Sequence, residues 1–221
     1  MILAAGRGER LRPLTDTLPK VLIPIGGKPL IVHHLEKLAA ANIQHVVINV
    51  AHLGEQIIHA VQQVHLPTLT IEFSPEPPGA YETAGGIIHA LPLLGTQPFA
   101  IVNGDVWTDF PYQRLHQSIT DLAHLIVVDN PSFHLQGDFN LHGSKLSRES
   151  IAGKHPYTFS GLGIYHPDLF AHRSTTRLPL SVLFEQYCPL QKISGEHYTG
   201  AWFNIGTVEQ LDQAQTYWQT H

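Results

Sequence analysis

Met1-Ile2-Leu3-Ala4-Ala5-Gly6-Arg7-Gly8-Glu9-Arg10-Leu11-Arg12-Pro13-Leu14-Thr15 opens the chain, and Pro19-Lys20 follows within a few residues. Apolar side chains over Met1–Ala5 predict a buried strand, and Gly6 ends it in a turn. Glycines at 6 and 8 let the backbone come close to a ligand and aim N–H groups at phosphate oxygens, while the nearby Arg and Lys side chains supply charge. The stretch taken alone reads equally as a tight strand-to-loop turn or as a triphosphate cradle at the carboxyl end of the first strand, the second reading placing Ala5, Gly6 and Gly8 against the nucleotide. The same letters exclude two other phosphate loops. A dinucleotide fingerprint needs a third glycine where Leu11 stands, and a Walker loop needs Ser or Thr where Pro29 follows Gly27-Lys28. A first strand this short is also what a chain lacking some upstream residues would present.

Outward from this turn, apolar β-branched runs alternate with helical spacing, the pattern of a parallel sheet covered on both faces. Further strands are predicted at His45–Val50, Leu69–Phe73, Phe99–Asn103 and His124–Val128, and helices at Pro29–Ala41, Leu53–Gln63 and Thr83–Leu91. After Asp129 the pattern changes to short extended pieces at Gly137–Leu141 and Thr158–Tyr165, then helices near Leu178–Tyr187 and Thr207–Trp218. The expected fold class is α/β: a doubly wound, mostly parallel, Rossmann-like sheet with an inserted smaller sheet region on the substrate side. With no Ser/Gly linker, repeat or low-complexity tract, residues 1–221 are read as one domain with halves 1–129 and 130–221.

Composition narrows the function classes. With 221 residues and 43% hydrophobic content the chain can bury one ample core. A formal charge of -5 and a charged fraction of 14% argue against nucleic acid, which needs a clustered basic face. Cys188 is the single cysteine, so no internal disulfide forms, and a reducing, cytoplasmic compartment fits. No apolar run approaches the ~20 residues that span a bilayer, so no membrane partner is expected. Sixteen histidines are scattered without an H-x-x-x-H or H-E-x-x-H arrangement, and the adjacent His33 and His34 point in different directions on a helix, which argues against structural zinc. Tyr217-Trp218 reads as helix packing. Monomer and small homo-oligomer are both left open.

Leu3 to Thr15, Pro19-Lys20 and Gly27-Lys28-Pro29 together follow the ordered pattern L-A-A-G-x-G-x-R-x-x-P-L-T, then P-K, then G-K-P, and in this the chain resembles the sugar-nucleotide nucleotidyltransferase family. The resemblance implies an enzyme that joins the NMP unit of an NTP to a sugar 1-phosphate and releases pyrophosphate, with Mg2+ as cofactor. It divides the halves into an NTP-binding and a sugar-phosphate-binding part. It gives Arg10 the triphosphate and the leaving pyrophosphate, and Lys20 the α-phosphate or the attacking phosphate. Asp105, in Asn103-Gly104-Asp105, becomes the metal ligand, and open α/β sheets independently bind ligands outside the carboxyl ends of their strands. Trp202-Phe203-Asn204-Ile205-Gly206-Thr207 resembles the family's W-x-D-x-G-T, with Asn204 where a second metal carboxylate is expected. An amide oxygen can coordinate magnesium but brings no negative charge.

The segment Pro78-Gly79-Ala80-Tyr81-Glu82-Thr83-Ala84-Gly85-Gly86 corresponds to the family loop that reads base and ribose, which assigns Glu82, Thr83 and Gly85 to the nucleoside and Gly104 to the ribose. A plain helix start explains Glu82 and Thr83 nearly as well, since Thr caps and acids suit a first turn. For the sugar the candidates are Asn103, Asn130, Asp138, Ser160, Gly161 and Glu196. The stretches Val102–Asp109, Asp129-Asn130-Pro131, Gly137-Asp138-Phe139 and Ser194-Gly195-Glu196-His197-Tyr198 resemble most the N-acetylmuramate 1-phosphate uridylyltransferases of bacterial wall recycling. Glucose or mannose 1-phosphate as acceptor stays open, and so does a non-catalytic nucleotide-sugar sensor, the reading that Asn204 keeps alive.

Overall fold

The computed structural model describes residues 1–79, 81–149 and 155–220. In chain order the elements begin β1 (Ile2–Leu3), β2 (Pro24–Ile25), β3 (Lys28–Pro29), α1 (Leu30–Ala40), β4 (His45–Val50), α2 (Gly54–Gln62), β5 (Thr70–Pro75), α3 (Glu82–Leu94), β6 (Phe99–Asn103) and β7 (Val106–Thr108). They continue β8 (Ala123–Asp129), β9 (Asn140–His142), β10 (Lys145–Ser147), β11 (Tyr157–Tyr165), α4 (Leu180–Tyr187), β12 (Ile193–His197), β13 (Trp202–Asn204) and α5 (Val208–Thr220). No helix among the described residues is long and apolar enough to cross a membrane. The chain forms two compact units: Met1–Ala80 with Val102–Arg114 and Ala201–His221, and Tyr81–Ile101 with Leu115–Gly200.

In the first unit the strands run β5-β4-β1-β6, all parallel, with Ile2 opposite both Ile48 and Val102. Val46, Val47, Ile48 and Val50 are buried, as expected of a strand covered on both faces. α1 begins after Pro29, whose fixed φ suits a helix start, and stops at Asn42, which takes the left-handed backbone at φ 58°. It buries Leu30, Ile31, Leu35 and Leu38. Numbered among themselves, the four parallel strands lie in the order 3-2-1-4, so the winding reverses between β1 and β6. Ligands in open α/β sheets bind outside the carboxyl ends at such a reversal. What leaves there is Ala4-Ala5-Gly6 from β1 and Gly104-Asp105 from β6.

A second feature of this unit is the antiparallel ribbon of β7 and β13, which pairs Val106 with Asn204 and Thr108 with Trp202. Ile25, Leu30, Trp107, Ile205 and Ala214 form one buried cluster, so β2, α1, α5 and both ribbon strands are clamped by the same apolar side chains.

The second unit carries strands in the order β6-β11-β8-β12-β10-β9, β6 contributing its first three residues. β11 is antiparallel to β8, β12 is parallel to β8, and β10 is antiparallel to both β12 and β9. The register of β11 shifts between Phe159 and Gly163, and Gly161 takes φ 84° inside that bulge, a backbone that glycine adopts without strain. A parallel set of strands in the first unit and a mixed set in the second agree with the expected α/β class.

Candidate active site

Arg10, Lys20, Asp105 and Asn204 meet in the first unit. Lys20 Nζ lies 2.5 Å from Asp105 Oδ2. The Asp105 carbonyl accepts the Ile205 N–H at 2.8 Å, so Asp105 and Asn204 sit beside each other at the same end of the ribbon. A Cβ at Gly206 would stand 2.9 Å from Arg10 Nη2, which places that guanidinium against the turn after Asn204. The turn is fixed by the Gly206 N–H, which donates to the Gln210 side chain at 2.8 Å. Two ends of the chain therefore deliver one cluster, and the ribbon is what joins them.

The glycine turn closes locally. Leu11 N–H and the Thr15 hydroxyl both donate to the Gly8 carbonyl, at 2.9 and 2.8 Å. Gly8 has φ 70° and packs beside the Lys20 methylenes, which points the loop toward the same cluster. A Cβ at Gly6 would meet nothing within 4 Å, so packing does not require glycine there and the loop face is open to a ligand. Ala4 N–H donates to Asn49 Oδ1 at 2.7 Å, anchoring the strand end from which Ala5 and Gly6 leave. Gly104 N–H donates to the Leu3 carbonyl at 2.9 Å, and its missing side chain leaves room for that carbonyl and Val21. Asn103 ends β6 in the same unit, opposite Leu3.

The donors here are one carboxylate and one amide oxygen, hard oxygens that suit Mg2+. That ion keeps several waters and commonly takes one or two carboxylates together with substrate phosphates. Among the described residues no three His, Cys, Asp or Glu side chains gather into a group that could hold an ion alone. The set fits a magnesium ion shared with a nucleotide better than one caged by protein.

In the second unit, Glu82 is exposed, has φ 57°, and its Oε1 accepts from Arg177 Nη2 at 2.8 Å. Thr83 and Gly85 follow in the first turn of α3, and the Ala84 and Gly85 N–H groups both donate to the Leu178 carbonyl. Ala80 of the segment before this helix lies outside the described residues. Asn130 donates to the His155 carbonyl at 2.6 Å and accepts from the Thr158 hydroxyl at 2.8 Å. Asp138 accepts from the Phe159 N–H at 2.9 Å and faces His134. Ser160 is buried, its hydroxyl donating to the Ile126 carbonyl at 2.7 Å, and Gly161 follows in the bulge. Glu196 lies on β12 opposite Ile126. Asn130 and Asp138 brace strand ends, and Ser160 ties β11 to β8, within their own unit. Sequence reasoning missed β7, β13 and the side chains of His34, Lys37 and Tyr112 behind them; the His33-His34 doublet was the available signal.

Residues 1–132 match the family model described as Nucleotidyl transferase. The chain is 45% identical to the N-acetylmuramate alpha-1-phosphate uridylyltransferase of Neisseria meningitidis serogroup B, over 97% of this chain and 96% of that one. It is 31% identical to the protein of the same name from Caulobacter vibrioides, over 93% and 90%. In fold it is similar to a UDP-glucose pyrophosphorylase complexed with UDP-glucose, with a TM-score of 0.80 and 17% identity, over 100% of this chain and 98% of that one. With its glycine turn, its cations and its Asp105 gathered at the reversal of a parallel sheet, the chain belongs to the nucleotidyl transferase family.

Proposed function

We propose that the protein transfers UMP from UTP to N-acetylmuramate 1-phosphate, giving UDP-N-acetylmuramate and pyrophosphate, in the cytoplasmic recycling of cell-wall sugar. The observation that carries the reading is the cluster of Arg10, Lys20 and Asp105 beside the glycine turn, supported by the likeness to two uridylyltransferases along nearly the whole chain. A sugar-phosphate oxygen attacks the α-phosphorus, the bond to the β-phosphate oxygen breaks, and pyrophosphate leaves with the electron pair. Such transfer needs positioning and charge neutralisation more than covalent help from protein.

Arg10 neutralises the departing pyrophosphate, and the open face at Gly6 and Gly8 presents N–H groups to the triphosphate. Lys20, held on Asp105 in the free protein, carries its charge to the α-phosphate or the incoming phosphate. Asp105 and Asn204 are the residues that would hold Mg2+, which supplies charge neutralisation and alignment of phosphate oxygens when bound. Glu82, Thr83 and Gly104 are assigned to the nucleoside, and Asn103, Asn130, Asp138, Gly161 and Glu196 to the sugar, while Gly85, packed against the Thr176 carbonyl, shapes the start of α3. Ser160 contributes shape, because its hydroxyl is already bonded to the backbone.

Pyrophosphate release from UTP, dTTP, GTP, CTP and ATP, each against N-acetylmuramate, N-acetylglucosamine, glucose and mannose 1-phosphates, tests the proposal. Turnover should be confined to UTP with N-acetylmuramate 1-phosphate and should vanish in EDTA. Turnover with a different pair overturns the substrate, and nucleotide binding without turnover in every pair favours the sensor.

The neutral Asn204 yields a further expectation. Asn204→Asp adds a charge beside the metal donors and should lower the Mg2+ concentration for half-maximal velocity roughly tenfold. An unchanged or higher Mg2+ requirement in a magnesium titration would remove residue 204 from the metal shell.

A further inference from the structure

Within β4, where Val46, Val47, Ile48 and Val50 are buried apolar residues, Asn49 is polar and only 5% exposed. A strand covered on both faces ordinarily carries an apolar side chain at such a position. Asn49 instead divides its amide between two partners. Its Oδ1 accepts the Ala4 N–H at 2.7 Å, and its Nδ2 donates to Glu76 Oε1 at 2.8 Å. Ala4 is the first residue after β1 and Glu76 the first after β5, so one side chain of β4 joins the points where the strands on either side of it leave the sheet. Glu76 is itself anchored on β4, its N–H donating to the Val50 carbonyl at 2.8 Å.

The two bonds dictate which way the amide faces. A backbone N–H pairs only with an acceptor and an ionised carboxylate only with a donor, so the oxygen faces Ala4 and the nitrogen faces Glu76. Turned over, the amide would lose both bonds. Ala4 is buried, and a buried N–H left without an acceptor is costly, so the hold on Ala4 is strong for a single bond. The far end of the glycine turn is held from the same side of the sheet. His52, two residues beyond β4, donates from Nε2 to the Thr15 carbonyl at 3.2 Å, and the Thr15 hydroxyl closes on the Gly8 carbonyl at 2.8 Å. Between these holds nothing packs where a Gly6 side chain would stand, so the course of Ala5 and Gly6 follows from how their ends are fixed.

We propose that Asn49, oriented by Glu76, is a positioning residue for the glycine turn, and that by holding the Ala4 N–H it sets the direction in which the Ala5 and Gly6 N–H groups leave β1. The proposal rests on the reading of that turn as the contact for the triphosphate. Asn49 touches no reacting group. It acts through Ala4, and Glu76 acts through Asn49. The turn meets the triphosphate before transfer as well as during it, so a misdirected turn weakens nucleotide binding more than it slows turnover.

Exchanging the amide and the carboxylate tests it. Asn49→Asp sets two carboxylates against each other and should raise the KM for UTP roughly tenfold, with kcat and the KM for the sugar phosphate within about threefold of wild type. In the ligand-free protein the Ala4, Ala5 and Gly6 amides should exchange roughly tenfold faster, while those of α1 are unchanged. Adding Glu76→Gln restores one donor facing one acceptor with the roles reversed, so the double variant should return to within about threefold of wild type in both measurements. Glu76→Gln alone keeps an accepting oxygen and should behave as wild type. Glu76→Leu removes the acceptor at a half-buried position and should match Asn49→Asp, which decides the matter if Asn49→Asp does not fold. Wild-type KM and exchange in Glu76→Leu overturn the proposal, and so does a folded double variant no better than Asn49→Asp. A lowered unfolding temperature with the KM for UTP unchanged overturns it too, reducing Asn49 to a core residue. The exchange measurement needs no substrate, so an enzyme that turns over no pair sinks the proposed reaction while the hold on Ala4 is still measured.

Discussion

Asp105→Asn is expected to lower kcat for pyrophosphate release by about a thousandfold or more, with the fold retained. The substitution keeps the shape of the side chain and removes its charge. Of the neighbouring pair Asp105 and Asn204 it removes the carboxylate, because residue 204 is already an amide. Two consequences follow. On the proposed reading magnesium loses the carboxylate that would hold it, and such an ion contributes several kcal/mol of charge stabilisation in the transition state. A thousandfold loss corresponds to about 4 kcal/mol, within that range. Lys20 also loses its counter-ion while its side chain is only 11% exposed, which leaves a largely buried cation to compete for phosphate or water. Single-turnover measurement with saturating UTP isolates the chemical step. A rate within tenfold of wild type would show that Asp105 does not hold the metal, and the double variant Asp105→Asn with Asn204→Asp would then ask whether the carboxylate can be moved across the ribbon.

The parts of this site that were legible in the sequence are those written in contiguous residues. The turn from Gly6 to Thr15 carries its own strand end, glycines and cations, and the buried run Val46-Val47-Ile48 announces a strand covered on both faces. β6 and the corner at Gly104-Asp105 were likewise readable from an apolar run that ends in a turn. What periodicity could not give was the ribbon. β7 and β13 have three residues each, too few for a period, and they come from distant parts of the chain. The neighbourhood of Asp105 and Asn204 was accessible only through the family resemblance. β12 was missed for another reason: Gly195, Glu196 and His197 are poor strand formers, and the segment is extended because β8 and β10 pair with it on both sides. Asn130 and Asp138 illustrate a last limit. A polar loop residue reads equally well as a ligand or as a brace, and the partners at His155, Thr158 and Phe159 are distant in sequence.

Gly85→Ala separates those two meanings in the second unit and should lower the unfolding midpoint by about 4–8 °C. A Cβ at residue 85 would stand 2.0 Å from the Thr176 carbonyl oxygen and 3.2 Å from the Tyr81 Cβ. The carbonyl cannot simply swing aside. Leu178 accepts from both the Ala84 and Gly85 N–H groups, at 2.9 and 3.1 Å, and donates to the Tyr81 carbonyl at 2.9 Å. The Arg177 ion pair with Glu82 ties the same segment to the start of α3. In an open helix, alanine would gain about 1 kcal/mol over glycine. Here overpacking costs about 1–3 kcal/mol, and each strained backbone bond adds about 1 kcal/mol, so the net change is a loss of roughly 2 kcal/mol. The same bonds bear on how the nucleoside is read, because two first-turn N–H groups of α3 are already satisfied by protein and are not open to a ligand. Glycine at 85 is then a packing requirement, and Gly85→Ala should lose stability while the KM for UTP in the surviving folded fraction stays within a few-fold. An unchanged midpoint with a KM raised tenfold or more would mean that the glycine is there for the close approach of the nucleoside, and that the 176–178 segment yields when that side of the helix is filled.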